Sequence, residues 1–142
     1  MPTRNASATW EGGLKTGKGS FKGESGSISG AYSFGTRFGN NPGSNPEELL
    51  AAAEAACYSM ALSGGLEKNG TPATKVETSA ACTIEPVEGG FAIKSIKLDV
   101  KASVAGIDNQ KFQEIATATK SGCPVSKALC PSVELQLTAQ LV

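Results

Sequence analysis

Near the start of the chain Ala6, Ala8 and Trp10 alternate with polar residues. A period of two predicts a half-buried strand, closed here by a turn at Glu11-Gly12-Gly13. A second strand is expected over Leu14 to Phe21 and a third near Ile28 to Phe34. Gly39 to Ser44, dense in Gly, Asn and Pro, then predicts a loop. The period changes at Asn45-Pro46-Glu47-Glu48. Asn45 can cap a helix, Pro46 suits its first position, and Glu48 completes a capping-box spacing. Both acids favour the positive end of the helix dipole. The run from Leu49 to Leu62 is apolar on nearly every side, and such a helix is expected to be buried. Gly64-Gly65 offers a bend, and Asn69-Gly70 with Pro72 beyond offers a stop.

In the second half, Val76, Thr78, Ala80, Cys82 and Ile84 share one face of a strand. The next strand starts with Phe91 and Ile93 and resumes as Ile96, Leu98, Val100, Ala102 and Val104. The phase slips by one between them, which predicts a bulge near Lys94-Ser95. Asp108 is placed to cap a helix from Asn109 to Ser121, with Phe112, Ile115 and Ala116 as its apolar stripe and Gly122 as its stop. Pro124 starts a short helix reaching Leu129. Val133, Leu135, Leu137, Ala139 and Leu141 alternate in a last strand. Strands, long helix, strands, helix, strand is the order of an α+β fold rather than a doubly wound sheet. No repeat or linker interrupts it, so a single domain over residues 1–142 is expected.

Composition narrows the function. Apolar residues make up 39% of the chain, enough for a packed core, and 13 basic side chains balance 13 acidic ones. That balance argues against a nucleic-acid or polyanion partner. No run approaches the roughly 18 apolar residues that span a bilayer, and the first residues lack an apolar signal core. A cytoplasmic protein with no membrane partner is expected, in a compartment where thiols stay reduced unless they do redox work. There is no histidine. Histidine triads, imidazole metal sites and HExxH hydrolases are therefore excluded. The cysteines are Cys57, Cys82, Cys123 and Cys130, and none forms a CxxC pair. No metal and no cofactor are expected.

Cys57 lies in the middle of the long helix. It is either a small apolar core residue, as most buried cysteines are, or a reactive thiol. Cys123 lies between Gly122 and Pro124, at or near the N-cap of the short helix. Unpaired N–H groups there stabilise a thiolate; a plain turn residue is the other reading. Cys82 falls on an apolar strand face and reads as core, and Cys130 as a structural or exposed thiol. Arg37 is either a surface arginine or, with no histidine present, the cation that holds a thiolate. Glu47 and Glu48 are both explained as helix-cap acids. A functional glutamate would have to orient that arginine or accept a proton.

Thr36-Arg37-Phe38, the SNPEELLAAAEAACYSMALS stretch from Ser44 to Ser63, and Gly122 to Ser126 (GCPVS) resemble the osmotically inducible protein C / organic hydroperoxide resistance (OsmC/Ohr) family. The segment Ala8 to Gly12, Glu24-Ser25-Gly26 and Gly106-Ile107-Asp108 are similar to its osmotically inducible protein C branch. The resemblance covers nearly the whole chain. It implies an OsmC-like fold of antiparallel sheets around a long buried central helix, in an intertwined homodimer. It also implies a thiol-dependent peroxidase that reduces organic hydroperoxides. In that scheme Cys57 is the attacking thiol, Cys123 its disulfide partner, and Arg37 and Glu47 complete the site. An external dithiol, protein-bound lipoyl groups included, is the implied reductant. A non-enzymatic dimeric scaffold or small-ligand carrier of the same fold is the alternative. A thiol-dependent hydrolase is disfavoured because no histidine is available as its base.

Two details follow from the helix. Glu54 stands three residues before Cys57 on the same face, where the family leads one to expect no acid, and its charge would oppose a thiolate. Glu47 and Cys57 are ten residues apart, about 15 Å along the axis, and turned to different faces. Glu47 is thus expected to act through Arg37 or, preferably, on the Cys57 of a second chain. Leu49, Leu50, Tyr58, Met60 and Leu62 are expected to make any pocket near Cys57 apolar.

Overall fold

A computed structural model describes all 142 residues, which divide into two compact units, Met1–Leu49 and Leu50–Val142. In the first unit the alternating segments become strands β1 (Ala6–Glu11), β2 (Lys18–Gly23) and β3 (Ser29–Ser33), an antiparallel sheet in that order. The Trp10 and Tyr32 rings lie 5.4 Å apart over Gly19. A Cβ there would stand 2.5 Å from the Tyr32 ring, so only glycine admits the aromatic pair. β2 starts four residues later than the pattern predicts. Gly13 to Gly17 is drawn into a turn by a 2.7 Å bond from Gly17 N–H to Gly13 carbonyl, which leaves Leu14 70% exposed.

The third strand also stops early. A short helix, α1 (Phe34–Phe38), follows at once. Ser33 Oγ accepts from Thr36 N–H at 3.2 Å and Thr36 Oγ1 accepts from Ser33 N–H at 2.9 Å, so each satisfies the other's backbone donor. Helix α2 (Pro46–Lys68) starts as expected, with Asn45 Oδ1 accepting from Glu48 N–H at 2.9 Å. It runs unbroken through Gly64-Gly65. Gly65 serves packing instead of a bend, since a Cβ there would lie 3.0 Å from Ile115. Gly70, at φ +81°, ends the helix, with Thr71 N–H bonded back to Leu66 carbonyl at 3.1 Å.

The second unit holds β4 (Ala73–Val87), β5 (Gly90–Val104), α3 (Asn109–Gly122), α4 (Pro124–Leu129) and β6 (Glu134–Leu141). β4 and β5 pair antiparallel, with Thr83 opposite Ser95 and Ile84 opposite Ile93. Lys94 is the extra residue between them, the bulge that the phase slip predicts. β6 pairs with β5 in parallel, so the expectation of purely antiparallel sheets fails at this edge. The chain between them crosses over through α3 and α4, and a crossover of that length returns a strand in the same direction. Asp108 caps α3 through Lys111 N–H at 2.9 Å.

The core forms where Tyr58, Leu62 and Leu66, four residues apart on α2, meet Ile96, Leu98 and Val100 of β5, with Phe112 and Ala116 of α3 beside them. Tyr58 hydroxyl donates to Ala116 carbonyl at 2.9 Å. α2 is not buried on every side, as its composition had suggested. Ala52, Ala53, Ala56 and Met60 are exposed, Met60 at 77%. A helix apolar all round needs cover on opposite sides, and one chain supplies one. An 18-residue window of α2 also reaches a mean hydropathy of 1.3, enough by length and composition alone to cross a membrane. The expectation that no run approaches such a length fails on this average, which tolerates Glu54 and the serines and glycines of the helix. Core helices of soluble proteins reach the same average.

Candidate active site

Two segments of the second unit build a sulfur pair. On α2, Glu54 and Cys57 are three residues apart and so share a face. The other segment begins at Cys123, which lies between two helices. Its N–H donates to Thr119 carbonyl at 2.9 Å, and its own carbonyl accepts from Lys127 N–H at 3.0 Å. It is thus the C-cap of α3 and the N-cap of α4, extended at φ −60° and ψ 129°. Held from both directions, its side chain reaches Cys57, and the two Sγ atoms share a hydrogen bond at 2.8 Å. Neither is in a disulfide. Cys123 is fully buried, whereas Cys57 is half-buried.

The surroundings of Cys57 hold its pKa above the ordinary thiol value. Burial is the main cause, followed by the hydrogen bond with Cys123. The backbone N–H of Val125 pulls the other way, and electrostatic repulsion from Cys123 and Glu54 pushes further up. On the thiolate reading of Cys123, the N–H groups of α4 are expected to act on its own sulfur. Cys123 makes no side-chain cap bond, and the N–H that acts on a sulfur, that of Val125, acts on Cys57. None of the groups that shift Cys57 is a cation. Tyr58, next in sequence, also has a raised pKa, chiefly from burial. Its hydroxyl is committed to Ala116 and is not free to move a proton.

Glu54 is wholly buried. Its Oε1 accepts from Ser126 Oγ at 2.6 Å, and its Oε2 has no partner. Ser126 was missed by sequence reasoning. The available signal was its spacing, three residues after Cys123 as Glu54 is three before Cys57.

The first unit assembles the other two expected residues. Arg37, in the last turn of α1, donates from Nε to Glu47 Oε1 and Oε2 at 3.1 and 3.3 Å, and from Nη2 to Oε1 at 2.8 Å. Glu47 is buried and Arg37 is about a third exposed, so a forked pair fixes the guanidinium. The Phe38 ring lies 5.2 Å from Arg37 Cζ. A cavity of about 250 Å³ opens here, lined by Trp10, Leu14, Tyr32, Phe34, Arg37 and Phe38. Glu48 stays exposed as a cap-turn acid.

The structure therefore brings Cys57 to Cys123 and Arg37 to Glu47. It does not make Tyr58 and Leu62 pocket residues, because both face the core, and Met60 points outward. Cys82 sits on β4 opposite Ile96 and packs against the core. Cys130 is exposed, with its sulfur 3.6 Å from Val133 carbonyl.

The family model described as OsmC-like protein matches residues 39–138. Peroxiredoxin OsmC of Escherichia coli (strain K12) is 44% identical over 97% of this chain and 96% of its own. Organic hydroperoxide resistance protein OhrB of Bacillus subtilis (strain 168) is 30% identical over 64% of this chain and 65% of its own. The crystal structure of OhrB of Bacillus subtilis matches with a TM-score of 0.76 at 27% identity, covering 96% of this chain and 98% of that one. That of an organic hydroperoxide resistance protein from Elizabethkingia anophelis matches with a TM-score of 0.83 at 25% identity, covering 100% and 98%.

Proposed function

The chain belongs to the OsmC-like protein family, and on that premise we propose that it is a thiol-dependent peroxidase that reduces organic hydroperoxides to alcohols. The observation that carries this reading is the apposition of the two sulfurs at 2.8 Å, neither in a disulfide. Exposure supports Cys57 as the attacking thiol and Cys123 as its disulfide partner. Half-buried Cys57 can meet a peroxide, and fully buried Cys123 cannot.

The Cys57 thiolate attacks one oxygen of the O–O bond. The bond breaks, the alkoxide leaves and takes a proton as the alcohol, and Cys57 becomes a sulfenic acid. Cys123 sulfur then attacks Cys57 sulfur; hydroxide leaves with a proton as water, and a disulfide remains. An external dithiol, protein-bound lipoyl groups included, reduces it by thiol–disulfide exchange. Because its own surroundings disfavour the Cys57 thiolate, activation calls for a cation. Arg37, oriented by Glu47, is assigned that role. The aromatic cavity beside Arg37 suits an alkyl or aryl hydroperoxide, each buried methylene contributing about 0.8 kcal/mol. The reading includes one domain over residues 1–142, a cytoplasmic location and a homodimer. A scaffold or ligand carrier has no use for apposed thiols.

The test is peroxide consumption by purified protein with dihydrolipoamide as reductant, followed by peptide mapping. Cumene hydroperoxide is expected to exceed hydrogen peroxide in kcat/KM, and Cys57–Cys123 is the expected disulfide. No consumption, or a stable Cys82–Cys130 disulfide instead, refutes the assignment.

A further inference from the structure

Beside the Val125 N–H that acts on Cys57, two side-chain hydrogen bonds tie α2 to the segment that starts at Cys123. One is the sulfur pair at 2.8 Å, and the other is the Ser126 hydroxyl on the Glu54 carboxylate at 2.6 Å. The points are spaced alike on both partners, Glu54 to Cys57 on α2 and Cys123 to Ser126 at the start of α4. A single contact sets a distance and leaves the segments free to swing. Two contacts one helical turn apart also fix their register. We infer that Glu54 and Ser126 are a positioning clamp that holds Cys123 against Cys57 and sets how fast the Cys57 sulfenic acid is resolved. The inference rests on the peroxidase reading above.

The clamp is built for rigidity. Glu54 and Ser126 are 0% and 1% exposed, so water does not compete for their bond. A hydroxyl on a carboxylate at this distance belongs to the short, strong class. Its presence has a cost at the first step, because the Glu54 charge pushes the Cys57 thiol up, and Glu54 Oε2 is buried without a partner. The return comes at the second step. The sulfenic S–O bond breaks as the S–S bond forms, and the hydroxide leaves with the Cys123 thiol proton as water. In competition, a second peroxide adds an oxygen to the sulfenic acid and gives a sulfinic acid, ending the cycle. Cys123 is buried and enters only from where it is held, so its rate depends on placement.

The experiment measures, by mass spectrometry, the peroxide concentration at which Cys57 divides equally between disulfide and sulfinic acid. In Ser126→Ala and Glu54→Ala it should fall about tenfold, the effect of losing one hydrogen bond. Ser126→Thr and Glu54→Gln keep a donor and an acceptor and should stay within about twofold of the parent. Circular dichroism and melting curves establish that each variant is folded; if Glu54→Ala fails to fold, Ser126→Ala decides alone. A Ser126→Ala protein that divides as the parent does overturns the clamp and leaves the peroxidase reading intact. So does a Ser126→Thr or Glu54→Gln protein as impaired as the alanine variants. A parent protein that forms no Cys57–Cys123 disulfide overturns both.

Discussion

At the scale of single residues the division of labour between the thiols is open to direct test. Cys57→Ser is expected to abolish turnover, since an alcohol is a far weaker nucleophile than a thiolate at neutral pH. Cys123→Ser should complete one turnover and then accumulate Cys57 sulfinic acid, read as added oxygen mass on the Cys57 peptide. The pH dependence tests Arg37. Attack requires the thiolate, and burial, Cys123 and Glu54 all raise the pH at which it forms. If Arg37 supplies the offsetting charge, Arg37→Ala moves the rising limb of kcat/KM to higher pH, above the ordinary thiol range. Superimposable profiles for parent and variant would remove Arg37 from that role. Cys123 stood out by its flanks, a helix stop before it and a proline after it, whereas Cys57, in mid-helix, was singled out only through the family resemblance. Ser126 was not legible, because its partner Glu54 is 72 positions away and nothing local marks the bond.

At the scale of elements the sequence was clearest where one face of a strand or helix is buried. The bulge at Lys94 was legible because a phase slip in apolar residues has one structural meaning. α1 was not. Its capping box uses threonine in place of the usual glutamate or glutamine, and Tyr32 and Phe34 read as a continuing strand. That helix carries Arg37, so its cap has a functional consequence. Ser33→Ala removes the acceptor for Thr36 N–H and should cost about 1 kcal/mol in urea unfolding. It should also lower turnover by loosening Arg37, whereas Ser33→Asn, a cap of equal quality, should retain both. Unchanged stability and turnover in Ser33→Ala would show that the Arg37–Glu47 pair holds without the cap.

At the scale of the whole molecule the order of elements announced an α+β fold, and the solved structures of the family share it. The parallel pairing of β6 stayed hidden, because alternation along a strand carries no information about the direction of its neighbour. The most informative disagreement is α2. Its sequence is apolar on nearly every side, yet only 22% of its most apolar window is buried within the chain. Ala52, Ala56 and Met60, four residues apart, form an exposed stripe opposite the core-facing Tyr58, Leu62 and Leu66. Ala52 and Ala56 are small enough to let a second helix approach closely, and a second copy of α2 is the occupant the homodimer reading requires. An isologous two-fold contact uses the same patch of both chains, so a substitution in it enters the interface twice. A lysine at position 60 would therefore remove two charges from water. Sedimentation of the parent should give a species of twice 14.4 kDa, and Met60→Lys should give the 14.4 kDa monomer with a lower melting temperature. Met60→Leu, which keeps the apolar volume, should remain dimeric. A monomeric parent protein at micromolar concentration, or a Met60→Lys variant that sediments unchanged, would exclude this face as the dimer contact.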